Sequence, residues 1–282
     1  MKIRKRTLPA GWYPSTENRC LEYFNRFEKT VNPLSISLNL NSIFSIIVPH
    51  AGWEFSGHIS YLSFFKATEI IKKSNKTIDT IIYLGGHLKY SENSILLNYE
   101  YLQTPFGNIE VDLSLLSEYK KLFSSIDETT FFSDNTIEVN LPFIKYFFPE
   151  SKIFALYPPL QEASSIAQFF ANKSKNFIVV ASSDLTHYGP NYGFTPHGTG
   201  EKAFLWAKEN DKILIDTLEK LDYESIELII DKYQNSCSPN SLTTAIAYAF
   251  FKGAKKGYPL LYGSSYQIAP SASFVGYISF IA

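Results

Sequence analysis

Three apolar runs in this chain end alike. Residues 42–48 lead into Pro49 and His50. Residues 78–84 lead into Gly85, Gly86 and His87. Residues 177–182 lead through Ser183, Asp184, Leu185 and Thr186 to His187. Short apolar runs bounded by Pro, Gly or Ser are the pattern of buried strands. In open α/β sheets, sites form in the crevice beyond the carboxyl ends of the strands. Three of the five histidines therefore stand where their rings can reach one shared cleft.

The rest of the chain alternates at α/β spacing. The patterning predicts helices near 56–73, 113–123, 137–148, 162–174, 200–219, 223–233 and 239–253. It predicts further strands at 95–102, 152–157, 259–264 and 274–281. The first 40 residues read as irregular. With no internal repeat and no low-complexity linker, the expectation is one α/β domain over residues 1–282. Its central sheet should be mixed or largely parallel and flanked by helices.

Composition narrows the function. A formal net charge of −1 argues against a nucleic-acid binder, which needs a basic patch to neutralise phosphates. At 45% apolar and 19% charged, the chain is not of disordered type. Two cysteines cannot make a disulfide framework at this size, which suits a reducing compartment. Basic residues at 1–6 are followed by Thr7, Leu8 and Pro9 rather than an apolar signal core. No run approaches the ~18 apolar residues of a membrane span. The expected address is the cytoplasm, with no membrane partner.

Cys237 precedes Ser238, Pro239 and a strong helical pattern, so its thiol sits close to a helix N-terminus. The dipole there favours thiolate, the form that acts as nucleophile or metal ligand; an inert core thiol is the alternative. Cys20 lies in an ordinary amphipathic stretch and reads as structural. His58 falls inside a helix pattern and reads as packing or surface. His197 lies in a Gly- and Pro-rich loop that reads as a mobile lid. Asp184 is placed either to orient a catalytic group or to cap a helix. Glu138 is either a partner for a site histidine or a solvated helix start. Gly198–Gly200 fits a dinucleotide loop loosely, but no strand precedes it. There is no nucleophile elbow, no Walker loop and no HExxH motif.

The ordered blocks Ala10-Gly11-Trp12-Tyr13-Pro14, Val48-Pro49-His50-Ala51-Gly52-Trp53, Phe55-Ser56-Gly57, Thr104-Pro105-Phe106-Gly107, Ile137-Glu138-Val139, Leu141-Pro142-Phe143 and Ser182-Ser183-Asp184-Leu185-Thr186-His187-Tyr188-Gly189 resemble the Memo family. That family includes the bacterial AmmeMemoRadiSam system protein B. The likeness runs on to Tyr262-Gly263-Ser264 and Val275-Gly276-Tyr277. It implies a fold similar to that of the class III, extradiol ring-cleaving dioxygenases, which hold non-haem iron. It also implies a metal site of His50, His87 and Cys237, with Asp184 and His187 nearby. Two imidazoles and a thiolate suit iron, copper or zinc; the family fold favours iron. The sequence departs from the family at Asn135, where a His is usual, and at the next polar position, Asn140. The segment before His87 is one residue short, and Ser238 replaces a frequent Gly.

The resemblance thus implies a mononuclear metal-dependent redox enzyme acting on a small molecule or protein group. Cys in place of a carboxylate argues against ring cleavage, since thiolate is itself oxidisable. In that reading His187 is the general acid/base and Asp184 orients it. The family analogy also implies a radical SAM protein as partner. The competing reading is a non-catalytic peptide-binding module, for which charge recognition would need an Arg cluster; none stands out. Plain metal storage or delivery is a third.

Overall fold

The computed structural model describes residues 2–87, 92–128 and 134–282. In chain order the strands are β1 (Ile3–Arg4), β2 (Ser45–Val48), β3 (Thr80–Leu84), β4 (Ser94–Leu96), β5 (Tyr101–Thr104), β6 (Gly107–Glu110), β7 (Ser125–Asp127), β8 (Lys152–Tyr157), β9 (Phe177–Ser182), β10 (His187–Tyr188), β11 (Tyr258–Ser264) and β12 (Phe274–Ile281). The helices are α1 (Glu17–Val31), α2 (Trp53–Lys73), α3 (Leu113–Lys120), α4 (Asn135–Glu138), α5 (Leu141–Phe147), α6 (Ala163–Ala171), α7 (Glu201–Glu219), α8 (Ile226–Tyr233), α9 (Pro239–Phe251) and α10 (Ser265–Ile268).

The large sheet runs β10-β12-β2-β9-β3-β8-β4-β7, with β11 on the other edge of β12. Its centre, β2-β9-β3-β8, is parallel, whereas β12 and β4 pair antiparallel to their inner neighbours. The sheet is therefore mixed. Every residue of β2, β3 and β9 is buried, as expected of strands covered on both faces. Helix α2 packs along β2, β11 and β12, and α9 along β2, β3 and β9. Parallel pairing aligns Val48 with Ser182, and Leu84 with Ala181. The ends of β2 and β3 thus flank the end of β9, and the loops that leave these three strands come together.

Three expectations need correction. The first 40 residues are not wholly irregular, because α1 occupies Glu17–Val31 and packs on α2. It buries Cys20, Phe24 and Phe27, which share one helical face at i, i+4 and i+7. Each buried Phe contributes about 1.5–3 kcal/mol, enough to hold a helix that is otherwise polar. Residues 95–102 are not one strand. Leu97–Tyr99 turn, so that β4 joins the large sheet while β5 joins a small one of order β1-β5-β6. The segment 137–148 is likewise split into α4 and α5.

Among the described residues, no helix is long and apolar enough to cross a membrane.

Candidate metal centre

The polypeptide leaves β2 through Pro49, so His50 emerges at the strand end, buried, just before α2. Asn140 donates to the Pro49 carbonyl at 2.9 Å, and Asn135 to that of His50 at 2.8 Å. Asn140 and Asn135 therefore brace the backbone that carries His50. Asp184 Oδ1 accepts the His50 N–H at 2.8 Å, and Ser182 Oγ lies 2.9 Å from His50 Nδ1. With Nδ1 engaged, the other ring nitrogen, Nε2, points away toward Cys237 Sγ at 3.3 Å.

His87 leaves β3 through Gly85 and Gly86 and adopts a left-handed backbone, φ 62°. For a residue with a Cβ this costs about 1–2 kcal/mol. Gly86 is required by what it faces: a Cβ there would fall 1.8 Å from Ser238 Oγ. The turn Cys237–Ser238 thus packs directly on Gly86. Asp134 Oδ2 holds His87 Nδ1 at 2.8 Å, leaving Nε2 for the centre. The His50 and His87 rings meet edge to face, with centroids 4.9 Å apart.

Cys237 stands just before α9, whose first residue is Pro239. Its N–H and Sγ both face the Asp184 carbonyl, at 3.4 and 3.7 Å. One donor atom from each of His50, His87 and Cys237 lies within 4.8 Å of the other two, so the group could hold a metal ion. Two ligands about 2.0–2.3 Å from one tetrahedral ion stand roughly 3.3–3.8 Å apart. The His50–Cys237 separation already lies in that range.

Asp184 caps no helix, since β10 follows it. Its Oδ2 lies 3.8 Å from Nε2 of both His50 and His187, too far for a direct hydrogen bond to either. Asp184 therefore places the His50 backbone and supplies charge to both rings rather than fixing the tautomer of His187. His187 is partly exposed, and its ring packs on Tyr192 with centroids 4.9 Å apart.

These groups set one another's protonation. Burial pushes the Cys237 thiol up, but the neighbouring imidazoles outweigh it and hold the thiol well below its ordinary range. Burial disfavours the imidazolium of His87, yet Asp134 and Cys237 lift it to about 10. His50 and His187 are raised in the same way, against burial, by Asp184 and Cys237.

His50, His87, Asp184 and His187 line a cleft of about 640 Å³ whose walls include Trp12, Phe55, Phe274 and Tyr277. Glu138 is absent from this constellation. It is fully buried and binds Arg4, Thr7, Leu8 and Tyr13, so it is neither a partner of a site histidine nor a solvated helix start. His58 sits within α2 near Phe27, and His197 stacks on Trp206. Cys20 is wholly buried in the core. Sequence reading overlooked Ser182 and Asp134, the two side chains that engage the far nitrogens of His50 and His87. The signal for Ser182 was its position at the end of β9, opposite Val48.

The fold and this group define a class: a mixed α/β sheet with a His/His/Cys donor group where the central strands end. The chain belongs to the Memo family, whose model, described as Memo-like protein, matches residues 4–281. A MEMO1 family protein of Nitrosopumilus maritimus is 28% identical over 98% of both chains. One from Caldivirga maquilingensis is 26% identical over 90% of this chain and 89% of its own. One from Sulfurisphaera tokodaii is 29% identical over 85% and 82%.

Proposed function

We propose that the chain is a mononuclear metal-dependent redox enzyme, iron being the first candidate and copper or zinc the next, acting on a small molecule or protein group. The observation that carries this is the convergence of His50, His87 and Cys237 where the central strands end, the two imidazoles lining a cleft and their far nitrogens engaged by Ser182 and Asp134. Such outer partners orient metal-binding histidines and raise their basicity. Two neutral nitrogens and one thiolate suit a soft or borderline divalent ion and leave positions open for substrate.

A bound ion of this kind would supply Lewis acidity and, for iron or copper, electron transfer. The chain's own residues do the rest. His187 faces the same cleft without belonging to the donor group, and serves as the base or acid toward a ligand held there. Asp184, beside both His50 and His187, stabilises positive charge on the His187 ring when it takes up a proton. The aromatic walls exclude water and favour a flat or apolar ligand. No Lys or Arg lies among the described residues lining the cleft, which disfavours recognition of a phosphorylated peptide.

Elemental analysis of tag-free protein, followed by oxygen-consumption assays, tests the reading. His187→Gln should keep the metal of the parent and lose its turnover. Loss of metal in that variant would make His187 a ligand instead, and absence of metal from the parent would overturn the reading.

A further inference from the structure

The cleft lined by His50 and His87 does not include Cys237 in its walls. Cys237 instead lines a second cavity of about 450 Å³, and the two cavities share only His187 and Tyr192. Tyr192 stands between them on a short turn whose base is fixed. Gly189, at φ 114°, lies so close to the 272–273 backbone that a Cβ would come within 2.4 Å of the Ala272 carbonyl oxygen. Asn191 N–H donates to Ser273 Oγ at 3.1 Å. The Tyr192 ring packs on His187 and remains 47% exposed, so it faces both sides.

The two cavities differ in chemistry. The first is walled by large aromatic side chains. The second is lined by Asp231, Gln234, Ser236 and Cys237, with Phe194 beside Tyr192. We propose that the second cavity is a separate entrance, through which a small, neutral, hydrogen-bonding reactant reaches Cys237 while the aromatic cleft holds a larger ligand, with Tyr192 dividing the two. Its use in catalysis rests on the function proposed above, but access to the sulfur is a property of the metal-free chain.

The full chain, stripped of metal by a chelator, is treated with iodoacetamide, and labelling at Cys237 is followed by peptide mass spectrometry. Cys20 serves as an internal reference, because burial pushes its thiol up to about 12. Two exposed positions carry the plugs: Asp231→Trp at the second cavity and Ala269→Trp at the rim of the aromatic cleft. Because alkylation of a thiolate depends on access, Asp231→Trp should slow labelling about tenfold or more, and Ala269→Trp by less than about twofold. In the parent, pyrenyl maleimide should be retarded far more than iodoacetamide, each rate being divided by its rate on the urea-unfolded chain. Slowing by Ala269→Trp instead, equal rates in all three proteins, or equal retardation of the two reagents would overturn the proposal. Failure of the chain to bind metal would leave this outcome untouched, so the two readings fail separately.

Discussion

Glu138 and His50 are both fully buried and both sit in clusters of charge, yet the clusters differ in what they leave free. Around Glu138, Arg4 donates from Nη1 while Thr7, Leu8 and Tyr13 supply the remaining donors. Arg4 spends its other nitrogens on Glu128. Donors and acceptors are matched within the protein. Around His50, the backbone and Nδ1 are engaged, but Nε2, the His87 ring and the Cys237 sulfur face one another beside open cavities. In the metal-free chain, protons held on the imidazoles face the Cys237 thiolate and occupy the place that a cation would take. A saturated ionic cluster holds the fold, whereas a convergent and unsaturated one invites a ligand.

The comparison can be broken most forcefully at Glu138. Removing one partner of a buried ion pair costs about 3–5 kcal/mol. Glu138→Ala should lose that much stability in urea denaturation and leave the metal content of the folded protein unchanged. A variant that keeps its stability and sheds its metal would reverse the assignment. Cys237→Ser should do the opposite. Outer partners of metal ligands are worth about 10–100-fold in affinity, and a direct ligand at least as much. Metal affinity should therefore fall by about 100-fold or more in competition titrations, with the metal-free protein losing less than about 1 kcal/mol.

A third buried carboxyl sharpens the same contrast. Asp211 accepts hydrogen bonds from Thr186 N–H, Thr186 Oγ1 and Tyr262 OH, all uncharged donors. Burial lifts it to about 7, whereas Glu138 lies below the usual carboxylate range because Arg4 and backbone N–H groups outweigh burial. Between its ordinary value near 4 and about 7, Asp211 keeps a proton in the folded chain that the unfolded chain has released. Its contribution to stability is therefore present at low pH and lost as pH rises through that window, by up to about 1.4 kcal/mol per pH unit. Asp211→Asn should remove that slope when urea midpoints are compared from pH 5 to pH 8. An unchanged slope would show that Asp211 is ionised throughout.

How much of this was written in the sequence depends on distance along the chain. The strand-end histidines were legible because each apolar run and its terminal His are contiguous. Cys237 was legible from the Pro239 that starts α9. Helix α1 was missed although Cys20, Phe24 and Phe27 carry its period, because so narrow an apolar face is submerged among charged residues. The role of Glu138 was not legible at all, since its cationic partner lies 134 residues away. For the same reason Asp134 could not be read as a support for His87, and Ser182, although it ends a legible strand, could not be assigned to His50. Residues 95–102 misled because a continuous apolar run does not reveal that its two ends enter different sheets.

The contact between Gly86 and Ser238 also constrains how this centre can change over generations. The two positions occupy one small volume, so the size allowed at either depends on the other. While Ser stands at 238, its hydroxyl fills the space that any side chain at 86 would need, and 86 is confined to Gly. A substitution history in which 86 acquires a side chain must first empty 238, passing through a sequence with Gly at both. The residue just after Cys237 and the residue just before His87 therefore drift as one trait, and neither can be judged tolerant or intolerant of replacement alone.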